Sequence, residues 1–110
     1  MMYFLLRWQF SSDTAKKLVS NPQDRTGPAR ELIEGFGGKL QSYYFALGEY
    51  DGIGIVEMPD TVSATAASML AASTGAFSRF ETTQLVTAQE AEAAMKKAQA
   101  KSGVYKAPNA

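Results

Sequence analysis

The fold of this chain is decided between residues 39 and 60, which read KLQSYYFALGEYDGIGIVEMPD. Two apolar runs flank the short polar turn Gly48-Glu49-Tyr50-Asp51, and this pattern is typical of a β-hairpin. The Pro59-Asp60 pair that follows is a signal for the start of a helix. The segment therefore predicts a hairpin followed directly by a helix.

The residues before the hairpin predict one strand and two helical segments. Residues 2–10 alternate along a strand, with one wholly apolar face (Phe4, Leu6, Trp8, Phe10) and one mixed face (Tyr3, Leu5, Arg7, Gln9). Ser12 or Asp13 is expected to cap a first helix with Ala15, Leu18 and Val19 on its apolar side. After the break at Asn21-Pro22, helical spacing returns in a second apolar stripe, and Gly37-Gly38 ends it; the stripe consists of Ala29, Leu32, Ile33 and Phe36.

The residues after the hairpin predict a helix, a strand and a last helix. Asp60 or Thr61 is expected to cap a helix whose apolar stripe is Val62, Ala66, Met69 and Leu70. Residues 76–86 form a fourth strand, and residues 87–90 fit a capping box that opens a helix rich in Ala, Glu and Lys. The order β-α-β-β-α-β predicts an α+β, ferredoxin-like fold: a four-stranded antiparallel sheet with helices on one face, plus a C-terminal helix.

Length and composition define the class of protein. The 110 residues are expected to form one domain over residues 1–100, with a loose tail at 101–110. Eleven basic and eleven acidic residues leave no net charge, so neither nucleic acid nor a membrane is expected as a partner. The chain has no His and no Cys, which excludes the commonest general base and thiolate chemistry, and we expect no metal and no cofactor. The start of the chain lacks signal-peptide features, so a soluble cytoplasmic protein is expected.

The sheet face opposite the helices is expected to be too apolar to remain in water. Tyr44 and Leu40 are expected on one face of the second strand, with Tyr43, Phe45 and Leu47 on the other, and Ile53 and Ile55 oppose Val56 and Met58 in the third. A second copy that packs sheet to sheet is the simplest cover, which predicts a homodimer or a higher homo-oligomer. The alternative cover is the C-terminal helix, which has little apolar surface.

The hairpin segment resembles the signature of GYD-domain proteins, with Gly48, Tyr50 and Asp51 at the motif positions. The earlier SNPQDR stretch, residues 20–25, resembles the proline-containing break that this family places in its first helical region. The resemblance covers about residues 3–92. It implies the dimeric α/β-barrel group of ferredoxin-like folds and implies no particular reaction.

Six residues are the candidates for binding a ligand: Arg7, Trp8, Tyr43, Tyr50, Asp51 and Arg79. Tyr50 and Asp51 are also open to a structural interpretation, in which Asp51 ties turn amides and Tyr50 packs over the hairpin. Arg7 needs a partner if it is buried, either Glu81 and Asp51 or an acidic ligand, and a salt bridge within the chain or across the dimer is the expected outcome. Gly52 and Gly54 either form the floor of a small-molecule cavity or accommodate a large aromatic side chain such as Trp8 or Tyr44.

Two functions follow from these features. In the first, a small organic ligand binds, or is converted without a cofactor, in the cleft between sheet and helices. In the second, the chain is a non-enzymatic oligomeric sensor or partner-binding module whose apolar faces serve assembly. An unpaired arginine beside an empty apolar cavity would favour the first function, and a paired Arg7 would favour the second.

Overall fold

The computed structural model describes residues 1–109. Its elements are β1 (Met2–Phe10), α1 (Ser12–Ser20), α2 (Thr26–Gly35), β2 (Lys39–Phe45), β3 (Gly52–Met58), α3 (Thr61–Ser73), β4 (Phe77–Leu85) and α4 (Ala88–Ala100). A short 3-10 helix follows at Ser102–Val104. The tail predicted over residues 101–110 reaches Ala110, which lies outside the described residues.

The four strands form one antiparallel sheet in the order β2-β3-β1-β4. β1 lies in the middle, and its Arg7 is opposite Ile53 of β3 on one side and Glu81 of β4 on the other. This strand order is that of the ferredoxin-like fold, so the predicted fold is confirmed.

The core lies between the sheet and helices α2 and α3. Its buried side chains are Phe4, Leu6, Trp8, Ile33, Val56, Met58, Ala64 and Ala67. The predicted apolar face of β1 is the one that is buried, because residues two apart in a strand lie on the same face. Each fully buried large aliphatic side chain in this layer stabilises the fold by about 1.5–3 kcal/mol.

Helix α3 turns a different side to the sheet from the one predicted. Its buried residues are Ala64 and Ala67, whereas Val62, Met69 and Leu70 of the predicted stripe are exposed. Nearly every position of this helix is apolar or small, so periodicity alone gave little contrast between its sides. The two small alanines allow the helix to lie close to the sheet, while Val62 is exposed and Leu70 lies at its edge beside the aromatic side chains of the sheet.

Strand β2 departs from simple alternation. Its register with β3 shifts between Leu40 and Ser42, so that Leu40 pairs with Val56 on the helix side while Tyr44 pairs with Ile53 on the open side. The expectation that Leu40 shares a face with Tyr44 was therefore wrong. An extra residue at a bulge reverses the facing of every residue beyond it.

Helix α1 was predicted correctly in position but not in its contacts. Its N-cap is Ser11, whose Oγ accepts a hydrogen bond from the Thr14 amide at 3.2 Å, rather than Ser12 or Asp13. None of its residues is buried, and Val19 of the predicted apolar side is 81% exposed. The helix contacts the sheet chiefly through β1, so it covers little of the core.

The two later helices begin where the sequence predicted. Asp60 caps α3 by accepting a hydrogen bond from the Ser63 amide at 2.7 Å. Thr87 and Glu90 form the capping box of α4. That helix has no buried residue and does not cover the open face of the sheet within the described part of the chain. Within residues 1–109, no helix is both long enough and apolar enough to span a membrane.

Candidate functional site

The hairpin loop between β2 and β3 connects the hairpin to the central strand. Gly48 has φ +131°, a conformation that residues with a side chain rarely adopt. Asp51 accepts a hydrogen bond from the Phe10 amide at 2.8 Å through Oδ2, and its own amide donates to the Trp8 carbonyl at 2.8 Å. The Asp51 side chain therefore satisfies one main-chain donor at the end of β1. Its role is structural, but the amide that it binds belongs to β1 and not, as had been expected, to the turn.

A charged cluster occupies one end of the open face of the sheet. Glu81 accepts hydrogen bonds from Arg7 Nη2 at 3.2 Å, from Arg79 Nε at 2.9 Å and from the Tyr50 hydroxyl at 2.7 Å. Arg79 also donates to Glu49 in the hairpin loop at 2.9 Å. The predicted pairing of Arg7 with Glu81 is confirmed, and the cluster joins β1, β4 and the loop.

Tyr50 lies against both arginines of this cluster. The guanidinium carbons of Arg7 and Arg79 lie 4.5 and 5.2 Å from the centre of its ring. The hydrogen bond from Tyr50, assisted by Arg79 and Arg7, holds the pKa of Glu81 below its usual value. The same hydrogen bond raises the pKa of Tyr50, so the phenol stays protonated at neutral pH.

On the helix side, the Trp8 indole fills the space left by a glycine. A Cβ atom on Gly52 would lie 2.2 Å from two carbons of the indole, whereas one on Gly54 would come no closer than 3.4 Å to any neighbour. Trp8 also stacks on Phe80 with ring centres 6.1 Å apart and lies 5.4 Å from the ring of Tyr43. The aromatic-filling alternative for Gly52 is therefore the one observed, with Trp8 as the aromatic side chain.

Beyond this aromatic layer lies a cavity of about 370 Å³ between the sheet, α2 and α3. The sheet contributes Trp8, Tyr43 and Phe80, and the helices contribute Leu32 and Leu70 among others. The lining is mostly apolar, and its one charged residue within the described chain is Arg25. A concave apolar space with few polar groups is the usual form of a small-molecule site.

Arg25 and Tyr43 are polar side chains of this cavity whose donors are not all used within the protein; the Thr74 hydroxyl also lines it but donates to the Ala71 carbonyl. Burial raises the pKa of the half-buried Tyr43 phenol, and the nearby Arg25 guanidinium opposes that rise. Arg25 donates one hydrogen bond to Gln23 at 2.9 Å and forms no ion pair within residues 1–109. A cation and a protonated phenol therefore lie near one another at an otherwise apolar cavity.

The structure divides the six predicted site residues between two faces of the sheet. Trp8 and Tyr43 line the cavity, whereas Arg7, Tyr50 and Arg79 belong to the charged cluster on the opposite face. Asp51 bonds main-chain groups at the end of β1. A single cleft lined by Arg7 and Trp8 together is not formed, because neighbouring residues of a strand point to opposite faces.

Sequence reasoning missed two parts of the cavity. Arg25 precedes α2 in an irregular stretch, and no local pattern connects it with Tyr43, so only the tertiary structure brings them together. Phe77 and Phe80 also line the cavity, and the Phe content of the fourth strand was a usable signal for an aromatic wall. Residues 1–109 contain no group of three or more carboxylates arranged to hold a metal ion.

Fold and site together define a small ferredoxin-like α+β protein with an apolar cavity under its helices and a charged cluster on its open face. The chain belongs to the GYD domain family, which matches residues 4–95. The resemblance to GYD-domain proteins that the hairpin motif indicated is therefore confirmed. The structure gives a physical role to each motif residue, Gly48, Tyr50 and Asp51.

A relative from Thermus thermophilus bears the description "Glutamine synthetase and cystathionine beta-lyase binding protein". It is 32% identical to this chain over 75 residues, which cover 68% of this chain and 79% of the relative. The crystal structure of MtbAldR is similar in fold, with a TM-score of 0.50 and 18% identity. That similarity covers 78% of this chain, which spans about half (52%) of the MtbAldR chain.

Proposed function

We propose that this protein is a partner-binding protein that associates with a metabolic enzyme. One observation carries the proposal: a relative at 32% identity, matched over 79% of its length, is described as binding two such enzymes. The absence of His and Cys from the chain agrees with a role in binding rather than in catalysis.

The outer side of α3 is the surface that we assign to the partner. The helix has no charged residue from Thr61 to Ser73, and it exposes Val62 at 76% and Met69 at 65%. A helix that is apolar on every side is typical of a buried helix, and an exposed apolar patch on a small protein marks an interaction surface. An enzyme that covers Val62 and Met69 would bury this side.

The test measures direct binding of the purified protein to glutamine synthetase and to cystathionine beta-lyase from its own source organism. Saturable binding to either enzyme is expected by isothermal titration calorimetry. Val62→Glu and Met69→Glu should weaken it by about tenfold or more, because a charge would be desolvated at the interface. Val19→Glu on α1 is the matched control, since Val19 is equally exposed but lies on another helix.

Two results would contradict this proposal. Folded protein that binds neither enzyme at high micromolar concentration would remove the partner-binding function as stated. Binding that survives both α3 substitutions would leave the function in place and move the interface away from α3.

We also propose that the open face of the sheet is covered by a second copy of the chain. Leu5, Ile53 and Ile55 lie together on this face and are half-buried in the single chain, while Tyr44 is 67% exposed. The charges at one end of the face are already paired within the chain. Neutralised charge beside apolar side chains suits sheet-to-sheet packing of two copies.

A second candidate function is the binding of a small organic molecule in the helix-side cavity. The cavity of about 370 Å³ with its mostly apolar lining is the observation that favours it. Among the described residues, the lining contains no carboxylate and no lysine, so binding is better supported than cofactor-free catalysis.

The cavity is tested by filling it. Ala71→Phe places a ring in the cavity from α3 and should abolish binding of any apolar probe that the wild type binds. Ala66→Phe on the same helix is the control, because Ala66 does not line the cavity. Probe binding that persists in Ala71→Phe with its fold intact would place the probe elsewhere.

A further inference from the structure

We infer that the helix-side cavity takes an amphipathic carboxylate, with its apolar body against Trp8 and Phe80 and its carboxylate at Arg25 and the Tyr43 hydroxyl. This inference rests on the second candidate function above, because it requires that the cavity bind a small molecule. The inference goes beyond that candidate function by specifying the chemical class of the ligand and the end of the cavity that its charged group occupies.

The size and walls of the cavity define the body of the ligand. A volume of about 370 Å³ lies near the lower end of the roughly 300–1,000 Å³ that small-molecule sites occupy. Trp8 stacks on Phe80 with an interplanar angle of 14°, and Phe77 lies edge-on to Phe80. Flat aromatic walls favour a ligand with one or two rings, or a short aliphatic chain, over a peptide or a dinucleotide.

Arg25 determines the sign of the ligand's charge. A guanidinium has five N–H donors, and one of those of Arg25 is bonded to Gln23 within the described residues. The adjacent carboxylate of Asp24 forms no ion pair with Arg25 within residues 1–109. Its Oδ1 accepts from the Thr26 amide at 2.8 Å, and it is near enough to Tyr43 to add to the rise in that phenol's pKa. The free donors of a guanidinium are well suited to a carboxylate, which accepts two parallel hydrogen bonds.

Tyr43 supplies a second donor for the same carboxylate. Its hydroxyl has no hydrogen-bond partner among the described side chains, and Arg25 is close enough to influence its ionisation. Because burial raises the pKa of the phenol, the hydroxyl keeps its proton and can donate a hydrogen bond to a carboxylate. Arg25 is half-buried and its bond to Gln23 is exposed, so the half-buried Tyr43 hydroxyl is the donor better shielded from competing water.

The experiment compares two probes that differ in charge but hardly in shape, 4-phenylbutyrate and 4-phenylbutyramide. Binding is followed by calorimetry and by the fluorescence of Trp8, the one tryptophan of the chain and a wall of the cavity. The carboxylate should bind about tenfold more tightly than the amide. Arg25→Gln should remove this difference and leave the affinity for the amide unchanged.

Two further variants complete the test. Tyr43→Phe should reduce the preference for the carboxylate by a smaller factor, about threefold, because one neutral donor is lost. Arg30→Gln is the matched control: it removes the same charge five residues further on, within α2, but Arg30 is exposed and does not line the cavity. It should bind both probes as the wild type does.

The outcomes separate the class of ligand from the cavity itself. Equal affinities for acid and amide, with both lost in Ala71→Phe, would overturn the carboxylate assignment and leave the cavity as a binding site. A preference for the acid that persists in Arg25→Gln would overturn the role of Arg25. No saturable binding of either probe to folded protein would overturn both the inference and the candidate function on which it rests.

Discussion

The Trp8 indole packs directly against the backbone of Gly52. The indole lies where a Cβ atom of residue 52 would stand, 2.2 Å away, while the nearest atom to a Cβ at residue 54 is 3.4 Å away. Because both glycines lie on β3 and face the helices, they differ mainly in this contact. Substituting each of the two glycines in turn therefore distinguishes the cost of overpacking against Trp8 from the general effect of replacing a glycine in a strand.

We predict that Gly52→Ala lowers the free energy of unfolding by about 1–3 kcal/mol, because the indole has to move out of its place. Gly54→Ala should change it far less, since its Cβ would make ordinary contacts. Urea unfolding of both variants measures the difference. Equal stabilities would show that Trp8 is not packed as described.

Glu81 makes the stability of the charged cluster depend on pH. Its pKa is lower in the folded protein than in the unfolded chain, chiefly because Tyr50 donates a hydrogen bond to it. Its contribution is therefore complete above the ordinary glutamate pKa of about 4.3 and is lost as the pH falls through the folded-state value.

We predict that the free energy of unfolding falls more steeply between about pH 5 and about pH 3 in the wild type than in Glu81→Gln, which lacks this titrating group. Tyr50→Phe should flatten the same profile in part, because it removes the hydrogen bond that lowers the pKa of Glu81 most. Glu34→Gln on the exposed side of α2 is the control and should retain the wild-type slope. Parallel profiles for the wild type and Glu81→Gln would contradict the assignment.

At the scale of elements, α4 depends on local interactions for its helicity. It has no buried residue, and it is stabilised by the Thr87–Glu90 capping box, by its alanine content and by the Glu92–Lys96 pair at 3.1 Å. The helicity of α3 depends instead on tertiary packing, since Ala64 and Ala67 are buried against the sheet. The two helices should therefore respond differently to the loss of a cap.

We predict that Thr87→Ala lowers the amide-exchange protection of residues 90–92 by about 1 kcal/mol, with little change in global stability. The physical reason is that nothing in the core depends on α4. Gln89→Ala in the same first turn is the control, because Gln89 takes no part in the capping box. A matching loss of global stability in Thr87→Ala would indicate that α4 packs on the body of the protein.

At the scale of the whole molecule, the exposed apolar surface is unusually divided. The open face of the sheet carries Leu5, Ile53 and Ile55, and the outer side of α3 carries Val62 and Met69. If the proposals above hold, the two surfaces would let self-association and partner binding occur at the same time, one on each surface.

We predict that the wild type is a dimer or larger assembly by native mass spectrometry and that Leu5→Asp converts it to the 11.9 kDa monomer. A carboxylate at the centre of a sheet-to-sheet interface would be desolvated without a partner. Val19→Asp is the control for an added surface charge. An unchanged mass in Leu5→Asp would show that the open face is not the interface, and a monomeric wild type would show that no stable self-association occurs.

Several features of the protein could be predicted from the sequence because their causes are local. Gly48, Pro59 and Asp60 define the hairpin and the helix start, the spacing of Leu32 and Ile33 defines α2, and the order of the elements then allows few topologies. The motif around Gly48, Tyr50 and Asp51 likewise identified the family. The pairing of Arg7 with Glu81 followed from the adjacency of the first and fourth strands.

Other features were decided by the tertiary structure, because their causes are contacts between residues far apart in the chain. The shift of register in β2 placed Leu40 on the helix side, and the burial of Ala64 and Ala67 against the sheet left Val62 of α3 exposed. Arg7 and Trp8 lie on opposite faces of the sheet, so the predicted site is divided in two. Arg25 lines the cavity although no local sequence pattern around it predicted this position. Local sequence fixes the dihedral preferences and periodicity of each element, whereas the packing of complete elements decides which side chains share a surface.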